Sequence, residues 1–97
     1  MKTKEEILEI LRRAKPELAQ KYGVKRLGLF GSYARSEQRE DSDVDIVVEV
    51  DPSIGLRFVD LAEFLESLLG IRTEVVSQRA LKPQHWELAK KELIHVE

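Results

Sequence analysis

Phe30-Gly31-Ser32-Tyr33-Ala34-Arg35-Ser36-Glu37-Gln38-Arg39-Glu40-Asp41-Ser42-Asp43-Val44-Asp45-Ile46-Val47 sets a Gly-Ser turn ten residues ahead of an Asp-x-Asp pair that opens an apolar run. Val44, Ile46, Val48 and Val50 alternate with Asp43, Asp45, Val47 and Glu49, the period-2 pattern of a strand with one wholly apolar face. That face must pack on helices. The same alternation sends Asp43 and Asp45 together to the opposite face, ~6.6 Å apart along the backbone. Two carboxylates so close can share divalent cations, and hard cations such as Mg²⁺ are commonly held by one or two carboxylates together with substrate phosphates. Such a substrate is a nucleotide. Gly31 lets a ligand approach the backbone, and Ser32 adds a hydroxyl and an amide at the start of a short helix, where unpaired N–H groups favour phosphate.

The rest of the chain supplies the elements around this motif. Thr3-Lys4-Glu5-Glu6 has the pattern of a capping box, with Thr3 as N-cap and Glu6 reaching back. The helix it starts carries Ile7, Leu8, Leu11, Ala14 and Leu18 at helical spacing, with a kink or a division into two short helices expected at Pro16 and an end at Gly23. Lys25 to Phe30 reads as a strand. Asp51 to Gly55 reads as a turn, Leu56 to Leu69 as a helix stopped by Gly70, and Arg72 to Ser77 as a short β-branched strand. Pro83 opens a last helix at its first position, and Leu93 to Val96 is a candidate edge strand.

Gly31-Ser32, ten intervening residues and Asp43-x-Asp45, with a leading helix, a Leu27 to Phe30 strand, a middle helix and a third acidic strand in order, resemble the DNA polymerase beta-type nucleotidyltransferases, in their short form the minimal nucleotidyltransferases (MNT). The resemblance covers nearly the whole chain. It implies an α/β (α+β) fold, a small nucleotidyltransferase palm with a mixed three- to four-stranded sheet packed on one face by helices, as a single domain over residues 1–97. Members of that family often carry Gly where this chain has Ser36, and usually Asp where it has Glu74.

The resemblance also implies a reaction. Two Mg²⁺ ions held by Asp43 and Asp45 would bridge the α-phosphate of ATP and an attacking hydroxyl. Glu74, on the neighbouring strand, is the candidate third carboxylate, completing a metal site and helping to take the hydroxyl proton. Gly31 and Ser32 are assigned to the β- and γ-phosphates. Arg35, one turn on, either touches the triphosphate or pairs with a nearby acid such as Glu37 or Asp41. Glu49 lies ~13 Å along the strand from Asp45, too far to share its metals.

Composition narrows the acceptor. Net charge is −2 with both signs interspersed, whereas a domain that grips nucleic acid shows a basic excess or stripe. No direct nucleic-acid substrate is expected, and the chain is too short to add the domains that hold primer and template. The absence of cysteine excludes disulfides and thiol chemistry. No apolar run approaches the ~18 residues of a membrane span, so no membrane role and a cytoplasmic location are expected. MNT proteins commonly serve as antitoxins to a helical HEPN-type RNase toxin encoded beside them, transferring AMP to its tyrosine or only binding it. The resemblance therefore implies a protein adenylyltransferase antitoxin; the alternatives are inhibition by binding alone and nucleotidylation of a small molecule. His85 and His95 lack partners at ligand spacing and read as surface residues. Tyr22, Tyr33, Phe58, Phe64 and Trp86 read as packing groups.

Overall fold

Thr3 accepts a hydrogen bond from the Glu6 amide at 3.1 Å, and the Glu6 carboxylate accepts one from the Thr3 amide at 3.0 Å. This reciprocal cap opens helix α1, Lys4–Tyr22, in the computed structural model, which describes residues 2–97. The division expected at Pro16 does not occur: the helix runs on to Gly23, whose left-handed backbone (φ 68°) ends it. Pro16 is on the exposed side of the helix, where water can satisfy the carbonyl that a proline leaves without its N–H.

Strand β1, Val24–Phe30, leads into the one-turn helix α2, Gly31–Ala34, and then into β2, Val44–Val50. A short 3₁₀ turn at Pro52–Ile54 precedes α3, Arg57–Leu69, which ends on left-handed Gly70. Strand β3, Thr73–Ser77, a 3₁₀ turn at Gln78–Ala80, helix α4, Pro83–Glu92, and the two-residue β4, Ile94–His95, complete the chain. The strands form one mixed sheet in the order β3-β2-β1-β4. β1 runs antiparallel to β2 and β4, whereas β2 and β3 are parallel and α3 provides the crossover that parallel pairing demands.

The apolar face of β2 meets α1 and α3. Ile7, Leu11 and Leu18 of α1 and Leu61, Leu65 and Leu69 of α3 are fully buried with Leu29, Val44 and Ile46. Each such side chain contributes ~1.5–3 kcal/mol through burial. Val24 joins this core three residues before Leu27 rather than at an even spacing. It can do so because Lys25 is an extra residue: Val24 pairs with Val50 but Arg26 already pairs with Glu49, a bulge that returns Val24 to the inner face. Val59 and Leu68 fall in the apolar pattern of α3 yet remain exposed.

The opposite face of the sheet is not bare. Leu93, just after α4, packs against Gly28 so closely that a Cβ there would lie 2.5 Å from Leu93 Cδ1. The helical cover is thus two helices on one face and part of α4 on the other, which brings the end of α4 beside the Gly-Ser turn. Tyr33 is buried in the main core, as its reading as a packing group requires. Among the described residues no helix is long and apolar enough to cross a membrane.

Ser36 has a left-handed backbone (φ 57°). This explains why the resembling sequences often place glycine there: the left-handed region costs roughly 1–2 kcal/mol for a residue with a Cβ. Ser36→Gly is expected to raise stability by about 0.5–1 kcal/mol, glycine's extra unfolded-state entropy offsetting part of the relief. A thermal melt should shift upward by a few degrees; an unchanged or lower midpoint would refute the strain at this position.

Candidate active site

The site is built at the leading end of β2. Register places Phe30 opposite Asp45 on one side and Glu74 opposite Asp45 on the other. Neighbouring strands lie ~4.8 Å apart, and paired residues send their side chains to the same face. Asp45 and Glu74 are therefore adjacent. Asp43, two residues earlier, shares their face just before the strand begins. The Val44 amide donates to the Arg72 carbonyl at 2.9 Å, so the approaches to β2 and β3 are tied together, and the Arg72 guanidinium comes within 3.9 Å of the Asp43 carboxylate.

Gly31 is needed for two reasons. Its backbone is left-handed (φ 77°), and a Cβ at this position would run into the Asp45 carboxylate. The missing side chain at Gly31 makes room for Asp45. The Gly-Ser turn and the acidic pair, separated by ten residues in the chain, are in contact in space.

Arg35 departs from the turn and meets two acids. Its Nε donates to Glu37 at 2.6 Å, one of the partners expected from sequence, and its Nη1 donates to Glu92 at 2.8 Å. The other oxygen of Glu92 accepts the Gly31 amide at 3.0 Å. Glu92 was invisible to sequence reasoning, since it lies 61 residues from Gly31 in a helix read only for its proline start. The one local sign is its position: an acid ending a helix sits at the unfavourable pole of the helix dipole. His85 and His95 are exposed, and Glu49 lies along β2 away from the carboxylate group.

The charge pattern fits a cation and a nucleotide. Burial, followed by the nearby charges of Glu74, Asp43 and Glu92, pushes the Asp45 carboxyl up to about 6, with Arg35 opposing. A divalent cation would offset that excess of negative charge. Among the described residues no three carboxylate or imidazole side chains already enclose a metal position; substrate phosphates commonly supply the missing ligands for Mg²⁺. Asp43 and Asp45, with Glu74 beside them, are the residues that could hold it. A cleft of about 720 Å³, lined in part by Lys2, Glu6, Tyr33 and Arg72, opens where the turn before β3 faces the start of α1; none of Gly31, Asp43, Asp45 or Glu74 lines it.

Comparison with known proteins shows the family. A family model described as a nucleotidyltransferase domain matches residues 11–96, and the chain belongs to that family. It is thus a nucleotidyltransferase, an enzyme that takes a nucleotide substrate. The protein adenylyltransferase MntA of Thermococcus cleftensis is 45% identical over 98 residues, covering 99% of this chain and 98% of the relative. A candidate protein adenylyltransferase of Methanocaldococcus jannaschii is 44% identical over 101 residues, covering 99% and 100%. Among solved structures, a candidate minimal nucleotidyltransferase superposes with a TM-score of 0.78 at 38% identity, covering 96% of this chain and 95% of that one. A structure of tri-AMPylated Shewanella oneidensis HEPN toxin in complex with MNT antitoxin shares the fold, with a TM-score of 0.62 at 20% identity over 93% of this chain and 71% of that one.

The raised Asp45 carboxyl makes a prediction about pH. Its folded value of about 6 exceeds the ordinary 3.8, so between these limits the folded state binds more protons than the unfolded one and stability falls as pH rises. Without divalent metal, Asp45→Asn should melt above the wild type at pH 7.5, and the difference should vanish towards about pH 3, where both states of the wild type hold the proton. Equal wild-type and variant midpoints across that range would show that Asp45 carries no such penalty.

Proposed function

We propose that this nucleotidyltransferase is a Mg²⁺-dependent protein adenylyltransferase that moves AMP from ATP to a tyrosine hydroxyl of a HEPN-type toxin and thereby acts as its antitoxin. The observation that carries the chemistry is the contact of the Gly31 turn with Asp45, itself flanked by Asp43 and Glu74. It brings a phosphate-binding backbone and a cluster of carboxylates to one spot. The choice of AMP and of a protein acceptor rests on the full-length likeness to MntA. The choice of toxin rests on the fold shared with the MNT antitoxin complex.

In this reading Gly31 and Ser32 receive the β- and γ-phosphates, and Asp43, Asp45 and Glu74 surround the α-phosphate. Mg²⁺ bound there would neutralise charge on the α-phosphate and on the departing pyrophosphate. The tyrosine oxygen attacks the α-phosphorus, the bond to the β-phosphate oxygen breaks, and pyrophosphate leaves. Glu74 takes the phenolic proton, a role suited to its exposed position beside Asp45. Glu74 is exposed, which leaves room for a protein segment to approach the carboxylates from solvent, its own surface forming the other wall.

Co-expression with the neighbouring toxin tests the reading. Mass spectrometry should find adenylyl additions on the toxin that disappear with Asp43→Asn plus Asp45→Asn, a loss of about 10³-fold or more, equivalent to ~4 kcal/mol of transition-state stabilisation. Toxin silenced equally well by the double variant, with no added mass, would replace catalysis by inhibition through binding. Glu74→Ala should lower the transfer rate by roughly 10²-fold while Glu74→Asp retains part of it. Wild-type turnover in the alanine variant would remove Glu74 from the mechanism.

A further inference from the structure

Glu92 occupies the Gly31 amide, which the proposed function assigns to the triphosphate, and Arg35, the neighbouring cation within reach of the same turn. One carboxylate oxygen accepts the Gly31 amide at 3.0 Å and the other accepts Arg35 Nη1 at 2.8 Å. A carboxylate bound to a backbone amide and a guanidinium satisfies the same groups that a terminal phosphate would engage. Its location is otherwise unfavourable, because an acid at the C-terminal end of a helix opposes the dipole that Lys90 and Lys91 complement in the same turn. The fold nevertheless holds it there. Leu93 is packed on Gly28, and β4 pairs with β1 at Gly28 and Leu29, so the end of α4 is fastened beside the turn.

We propose that Glu92 is a built-in competitor for the triphosphate cradle, which ATP enters by displacing the carboxylate from Gly31 and Arg35. This rests on the assignment of the β- and γ-phosphates to the Gly31 turn. The exchange needs only rotation of the Glu92 side chain, since the anchoring contacts belong to Leu93 and β4. Displacement transfers the Gly31 amide and one edge of Arg35 to phosphate, while Glu37 keeps Arg35 Nε in place. A site whose competent form is only fractionally populated binds with an affinity reduced by that fraction. Glu92 therefore sets a threshold nucleoside triphosphate concentration below which the cradle stays shut.

Calorimetry on the full chain with Mg-ATP and Mg-AMP tests this. Glu92→Gln and Glu92→Ala should each bind Mg-ATP about tenfold more tightly than the wild type, through release of the closed fraction, and leave Mg-AMP, which has no β- or γ-phosphate, unchanged. Glu87→Gln, which removes an exposed charge from the same helix, should bind Mg-ATP as the wild type does. Equal or weaker Mg-ATP binding by both Glu92 variants would make Glu92 a brace for Gly31 and Arg35, overturning the competitor while leaving the nucleotide site intact. A similar gain for Mg-AMP or for Glu87→Gln would be a general charge effect and would overturn it equally. Failure of Mg-ATP to bind the wild type and all variants would remove the triphosphate assignment, and the competitor with it.

Discussion

Strand β2 has hydrogen-bonded neighbours on both sides and is required to serve two faces at once. Its alternation sends Val44, Ile46, Val48 and Val50 into the helical core and Asp43 and Asp45 out of it. A shift of one residue in register would exchange the two sets, burying carboxylates and exposing valines. Packing of α1 and α3 on the inner face therefore also fixes the direction of the acidic side chains. The energy that holds these side chains in place comes from the buried apolar core on the other face.

Around that strand the chain accepts several local costs. Ser36 takes a left-handed backbone, and Gly31 takes another where no side chain would fit against Asp45. Asp45 carries a carboxyl whose charged form is disfavoured by burial and by its acidic neighbours. Such concentrations of strain and like charge persist only where surrounding packing overrides them, and they gather at functional sites. Glu92 belongs to the same pattern. It adds a further negative group near Asp45, yet it is retained by two donors that an incoming triphosphate would also seek. The free protein thus places an internal acid on the cradle beside an already acidic site, and on the proposed reading the substrate's phosphates compete for the same donors.

Much of this was legible in the linear sequence because its determinants are local. The capping pattern at Thr3, the stops at Gly23 and Gly70, the alternation of β2 and the proline start of α4 each depend on residues within a turn or a strand of one another. Of the kink or division expected at Pro16, the division does not occur, for a reason outside that window: tertiary packing retains α1 on its buried side, and the proline faces water. The edge strand expected over Leu93 to Val96 is formed at Ile94–His95, paired with Leu29 and Gly28, and the Val96 amide extends the contact to the Leu27 carbonyl.

By itself the sequence determined that Asp43 and Asp45 share a face, since the pleat leaves no other arrangement once β2 alternates. It also determined that the chain is a minimal nucleotidyltransferase, because the Gly-Ser turn and the acidic pair occur at the family's spacing. Only tertiary structure decided that Glu74 stands level with Asp45, since parallel register is set by the α3 crossover and not by either strand alone. Only tertiary structure brought Glu92 to Gly31 and Arg35. That contact joins residues on opposite sides of the intervening strands and helices in the chain. Its geometry depends on the packing of Leu93 against a glycine in β1, a long-range fit for which no local periodicity exists.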